Sequence, residues 1–170
     1  MLIISLSILL CLGFICYQDM RYRAVYWICF PVLAALLFVL KQQEMQWKEA
    51  LIETGYGIVF FGTQLVLLWI YFSLKNRKLT DITSGYLGLG DILFLMAITF
   101  YLSPVNYILF YIGSLIVVLI YTLGQRIFLK KEEPEIPLAG LQALLLGLVL
   151  IVSIVQPGLQ PTNDSWIYGL

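Results

Sequence analysis

Histidine is absent from the sequence and charge is scarce: Asp, Glu, Lys and Arg make up 12% of the residues and cancel to a net charge of zero. Without histidine, Ser-His-Asp and Cys-His mechanisms are excluded, so any catalysis runs on carboxylates, hydroxyls or lysines. The balanced charge gives no global attraction to nucleic acid. Cys11, Cys16 and Cys29 have no CxxC spacing. They read as reduced, buried small hydrophobes, not as a zinc site or a disulfide framework. Neither a metal nor another cofactor is expected. Repeats, low-complexity tracts and any linker long enough to separate a second domain are also missing.

What the chain has instead is apolar length. Hydrophobic residues make up 61% of the 170 positions, far above a soluble domain. They fall into six runs, Met1–Tyr17, Val25–Leu40, Ile52–Leu74, Leu87–Leu102, Tyr107–Phe128 and Ile136–Val155. Several approach the roughly 20 residues that cross a hydrocarbon core, while the second and fourth are shorter. The first run has neither a basic leading segment nor a small-residue cleavage site, so it reads as a retained span. The expectation is an all-α polytopic membrane protein, one six-span domain over residues 1–170, embedded in a lipid bilayer.

The connections carry an asymmetry. Arg21, Arg23, Lys75, Arg77, Lys78, Arg126, Lys130 and Lys131 lie in the odd-numbered connections, and only Lys41 and Lys48 in the even ones. The excess of cations places the odd connections in the cytoplasm and both termini outside. The tail from Gln156, with Pro157, Pro161 and Asp164, has no cation and fits an external end.

Against that frame, Gly88-Leu89-Gly90-Asp91 stands out. It lies where a polar connection turns into an apolar run, and an acid at the mouth of a span is a functional candidate. The flanking glycines remove side chains where another backbone could approach. Asp19 closes the first run, so the topology brings both aspartates to similar depth on the cytoplasmic side. From Asp91 to Leu102 a helix would be only about 18 Å long, against a core about 30 Å thick. Irregular backbone at that depth must be buried in protein or line a wet cavity, which predicts a small aqueous notch with two carboxylates.

Two carboxylates sharing a site do not both ionise cheaply, so one holds a proton near neutral pH. Such a pair hydrolyses peptides: one member takes a proton from water while the other donates to the carbonyl and the leaving amine. Helix polarity suggests Asp91, near a helix N-terminus, as the initial base and Asp19, near a C-terminus, as the initial acid. Plainer readings exist. Asp91 fits a helix N-cap, and Asp19 fits an interfacial ion pair with Arg21 or Arg23. Gly55, Gly57 and Gly62 read as helix-packing sites, and Ser84, Thr80 and Thr83 as loop or cap residues. A proton-coupled transporter or an inactive scaffold of the same fold are the rival functions, although a transporter would need a polar stripe through runs that are almost wholly apolar.

These residues resemble the GxGD aspartic peptidases of membranes, in particular the prepilin (type IV leader) peptidases. Gly88-Leu89-Gly90-Asp91 matches the signature. Asp19-Met20-Arg21-Tyr22-Arg23 resembles the family's first aspartate with its basic stretch and extended turn, and Ile136-Pro137-Leu138-Ala139-Gly140 the segment that opens its last span. Departures are Tyr26 in place of a frequent Pro, Leu93 in place of a frequent Lys, and no cysteine-rich insert, so the likeness is to a minimal peptidase without the methylating activity of longer relatives. The resemblance implies Asp19 and Asp91 as catalytic residues. It also implies substrate approach at Gly85, Gly88 and Gly90, and no cofactor. The partner it implies is a pilin-like or pseudopilin precursor whose basic leader is removed at the cytoplasmic face of the plasma membrane of a bacterium or archaeon. Asp81, Glu132, Glu133 and Glu135 could attract such a leader, or form a solvated charge cluster.

Overall fold

The computed structural model describes residues 2–77, 88–129, 137–156, 158 and 160–164. Gly85, Lys78, Asp81, Thr80, Thr83, Ser84 and the glutamates of 132–135 lie outside them. Six helices follow one another: α1 (Leu2–Tyr22), α2 (Cys29–Gln42), α3 (Trp47–Asn76), α4 (Leu89–Ile98), α5 (Pro104–Leu129) and α6 (Leu138–Val155). The described residues contain no strand. α1, α3, α5 and α6 are long and apolar enough to cross a membrane, whereas α2 and α4 are shorter apolar helices. Many large apolar side chains face outward along them, Ile3, Leu10, Val59 and Ile120 among them. In water such a surface would drive association; it suits a hydrocarbon solvent.

The helix ends follow local chemistry. α1 runs five residues past the expected Tyr17, so Asp19 sits within its last turn instead of closing it. It stops where Arg23 adopts a left-handed φ of 54°, with the Arg23 N–H donating to the Asp19 carbonyl at 3.1 Å. Residues 24–26 then run without regular structure before a turn into α2. Pro31 lies in the first turn of α2, where its missing N–H costs nothing. α3 ends in the same way as α1, at Arg77 with φ 50°. α4 has 10 residues, about 15 Å of helix, and unwinds at Thr99 instead of continuing to Leu102. Pro104 opens α5, where its fixed φ is pre-set for a helix.

α1 and α6 pack antiparallel and most extensively, and α2 lies on the other flank of α1. Ile8, Leu12 and Ile15 of α1 repeat at helical spacing and meet Ala139, Ala143, Leu146 and Leu150 of α6 in the buried core. Small residues on the α6 face let the two axes approach closely. Of the three glycines expected to serve packing in α3, only Gly57 does. A Cβ there would lie 3.2 Å from Thr99 Cβ, whereas Gly55 and Gly62 face open space.

The end of the bundle opposite Asp19 is tied together by side chains. Lys41, expected in an exposed connection, is instead fully buried in the last turn of α2, its Nζ 2.9 Å from Glu53 Oε2 of α3. The segment 160–164 folds back over the α4–α5 turn. There Ser103 N–H donates to the Pro161 carbonyl at 3.1 Å, and Asn106 Nδ2 donates to the carbonyls of Pro161 and Asn163, each at 3.1 Å. The Ser103 hydroxyl donates to Asp164, and the Thr162 hydroxyl to Glu44.

Candidate active site

α6 begins with an unmet need. Its N-cap residue, Pro137, makes no side-chain capping bond, yet the first amides of any helix have no partner inside it. Two of them are satisfied from neighbouring helices. The Ala139 N–H donates to Asp91 Oδ1 at 2.8 Å, and the Gly140 N–H donates to Asp19 Oδ2 at 2.6 Å. Consecutive amides of one helix therefore hold one carboxylate from α4 and one from α1. The two are close enough that Asp19 acts electrostatically on Asp91. Both side chains are half-buried.

Asp91 is in the first turn of α4, three residues after the N-cap Gly88, and its carboxylate accepts from the Gly88 N–H of its own helix start. It also accepts from the Ala139 N–H across at α6, so Asp91 is not the N-cap residue of the plainer reading but serves two helix starts, its own and its neighbour's. For Asp19, the carboxylate turns to the α6 amide. The Arg21 guanidinium faces the Tyr17 and Tyr22 rings at 6.0 and 5.7 Å, while Arg23 is near enough to act on Asp19 electrostatically.

The glycines act through space, not through backbone freedom. Gly88 has an ordinary extended conformation, φ −65° and ψ 141°, open to any residue. A Cβ on it would stand 3.0 Å from Asp91 Oδ2, so the missing side chain leaves room for the carboxylate. Gly90 faces the Phe30 ring, where a Cβ would make an ordinary 3.7 Å contact.

The geometry also removes the asymmetry on which an acid–base assignment rested. Asp91 is near the N-terminus of α4, but Asp19 is bonded to the N-terminus of α6, and a helix start favours negative charge on either. The pair is best treated as one titrating unit. Sequence reasoning found both aspartates but missed their partners, Ala139 and Gly140. The available signal was two small residues directly after Pro137-Leu138, at the mouth of the last apolar run. Among the described residues, no group of three or more Cys, Asp or Glu side chains could hold a metal ion.

An all-helical membrane protein with two carboxylates gathered at one helix start is the class that this fold and site define. The sequence model of the type IV leader peptidase family matches residues 6–123. The chain belongs to that family and is a protease of the leader-peptidase kind. The match covers α1 to most of α5, and so both Asp19 and Asp91, but not α6. Neither the curated proteins nor the solved structures provide a match to the chain.

Proposed function

We propose that this chain is a membrane aspartic endopeptidase that removes the short basic leader from pilin-like or pseudopilin precursors, with Asp19 and Asp91 as its catalytic pair. The observation that carries the reading is the seating of both carboxylates on the adjacent Ala139 and Gly140 amides. The family supplies the substrate class.

The pair holds one proton between two carboxyl groups. The ionised member takes a proton from a water molecule, whose oxygen attacks the scissile carbonyl carbon. The protonated member donates to the carbonyl oxygen as it becomes tetrahedral. Collapse of that intermediate breaks the C–N bond: the member that took the proton from water gives it to the leaving amine, and the other member takes back the proton of the tetrahedral hydroxyl. This leaves a carboxylic acid product and a pair again holding one proton. Each carboxylate keeps its geometry because one oxygen is fixed by backbone that does not move during proton transfer.

In this reading the chain is one domain over residues 1–170 that crosses the membrane six times, with both termini outside. The two short helices are accommodated by local thinning of the bilayer or by sinking of the Gly88 segment below the membrane surface. Arg21, Arg23, Lys75, Arg77 and Arg126 terminate α1, α3 and α5 at the end that holds the pair. Lys41 and Lys48 lie at the other end. That distribution favours a cytoplasmic pair, in the plasma (inner) membrane of a bacterium or archaeon. A precursor then presents its basic leader in the cytoplasm and its apolar helix in the bilayer, with the scissile bond at the boundary. Gly88 and Gly90 border the approach.

The test is co-expression with a pilin-like precursor and measurement of product size in membranes, wild type beside Asp19→Asn and Asp91→Asn. Processing by the wild type and loss in both variants is expected. Normal cleavage by either variant would rule out the two-aspartate mechanism.

A further inference from the structure

We propose that Gly140 is a positioning residue for Asp19: its amide anchors the carboxylate, and its missing side chain is the space that the carboxylate occupies. This rests on the catalytic reading of the pair and adds a third, non-acidic member from α6.

The contacts leave little choice at this position. A Cβ on Gly140 would lie 3.0 Å from Asp19 Oδ2, 3.1 Å from Asp19 Cβ and 3.4 Å from the Cys16 carbonyl oxygen. The first contact alone could be relieved by rotating the carboxylate. The second involves an atom fixed to the α1 backbone that no rotation of the Asp19 side chain moves, while the Cys16 contact is of ordinary length, so α1 must shift off α6 by a few tenths of an ångström. That shift, together with the rotation of the carboxylate, lengthens the Gly140 N–H bond to Asp19, which is 2.6 Å. Asp91 is held by the preceding amide, so displacement of Asp19 also separates the two acids.

A second glycine on the same helix provides the control. Gly147 also faces α1, but a Cβ there would make ordinary contacts with Leu9 and Leu12 at 3.8 and 4.0 Å. Glycine in a helix is worse than alanine by about 1 kcal/mol, so neither substitution should weaken α6 through propensity. A difference between the two must come from what each new methyl group touches.

The experiment uses the full chain in lipid nanodiscs, labelled with nitrogen-15 at alanine and glycine, and follows the Ala139 and Gly140 amide signals across pH without substrate. In the wild type the Gly140 signal should titrate and lose that response in Asp19→Asn. The Ala139 signal should show two steps, one for each member of a coupled pair. In Gly140→Ala the Ala139 signal should collapse to one step, and in Gly147→Ala it should keep both.

Cleavage is then measured with a synthetic precursor, a lysine-rich leader joined to an apolar helix. Gly140→Ala should lower kcat by roughly 100-fold at little-changed KM, the scale expected of a misplaced catalytic group, and Gly147→Ala should match the wild type. A two-step Ala139 curve in Gly140→Ala, or wild-type turnover by that variant, would overturn the proposal. If the titrations behave as expected but no precursor is cleaved by the wild type, the peptidase reading fails while the seating of Asp19 by Gly140 stands.

Discussion

The two ends of the bundle use carboxylates in opposite ways. At the end closed by residues 160–164, Glu53 pairs with Lys41, Glu44 accepts from Thr162, and Asp164 accepts from Ser103 and from the Val105 amide at 3.4 Å. Each acid there is engaged by another side chain, and the bonds tie α2 to α3, the turn after α2 to the tail, and the tail to the start of α5. At the other end, Asp19 and Asp91 accept hydrogen bonds from backbone amides and from no hydroxyl or ammonium group among the described residues. A carboxylate locked by a neighbouring side chain is a fastener. One oriented by backbone amides, which neither give up nor take a proton, keeps its proton chemistry available.

The largest expected effect follows directly from that contrast. Asp19→Asn and Asp91→Asn should each reduce precursor cleavage by about 100-fold or more, the scale of a lost general acid or base. Glu44→Gln and Asp164→Asn, equally conservative in shape, should cleave as the wild type does. The measurement is the ratio of processed to unprocessed precursor in membranes. Equal losses at both ends would show that the contrast concerns folding and not chemistry.

The helix order was legible in the sequence because apolar runs are separated by short charged connections, and the aspartates could be paired because topology fixes depth even when 72 positions separate them. Three features were not legible. Helix ends at Arg23 and Arg77 depend on left-handed arginines, which carry none of the usual glycine signal for a helix stop. Lys41 is at the edge of an apolar run, where a lysine ordinarily reaches for water. Its burial depends on Glu53, one helix later. The anchors of the aspartate pair are backbone amides, which have no residue type of their own, so only the small side chains of Ala139 and Gly140 hinted at them.

Next in size is the effect of Lys41→Met. Lys41 is fully buried while the Glu53 side chain keeps 30% exposure. Losing one partner of a fully buried pair costs about 3–5 kcal/mol, and partial hydration of Glu53 should hold the loss near the lower limit. Thermal unfolding in detergent should show a lowered midpoint, largely recovered when Glu53→Leu is added. Cleavage by the folded fraction should be unaffected. A fall in activity beyond the fall in folded protein would mean that the two ends are coupled.

A smaller effect separates two roles within the pair itself. The aspartates also cap α6, so replacements that keep an acceptor should behave differently from those that remove it. Asp19→Asn retains an oxygen for the Gly140 amide and should unfold near the wild-type temperature. Asp19→Ala leaves that amide without its partner and should cost about 1 kcal/mol, the usual value of a lost helix cap. Both should be equally inactive.

The smallest expected effect is at Thr162. Its hydroxyl bonds Glu44, and the residue is almost wholly enclosed. Thr162→Val keeps the shape and removes the donor, which should cost about 1 kcal/mol, because a hydrogen bond to a charged group exceeds the neutral average while Glu44 is exposed enough to recover water. The loss should be confined to the region that this bond joins. Hydrogen exchange should quicken at the Ser103 and Asn163 amides, which bond within the fold of the tail, and remain unchanged at Ala139 and Gly140. Faster exchange at the α6 amides would mean that the tail fastening reaches the Asp19–Asp91 pair along α6, and the two ends could then no longer be treated as separate devices.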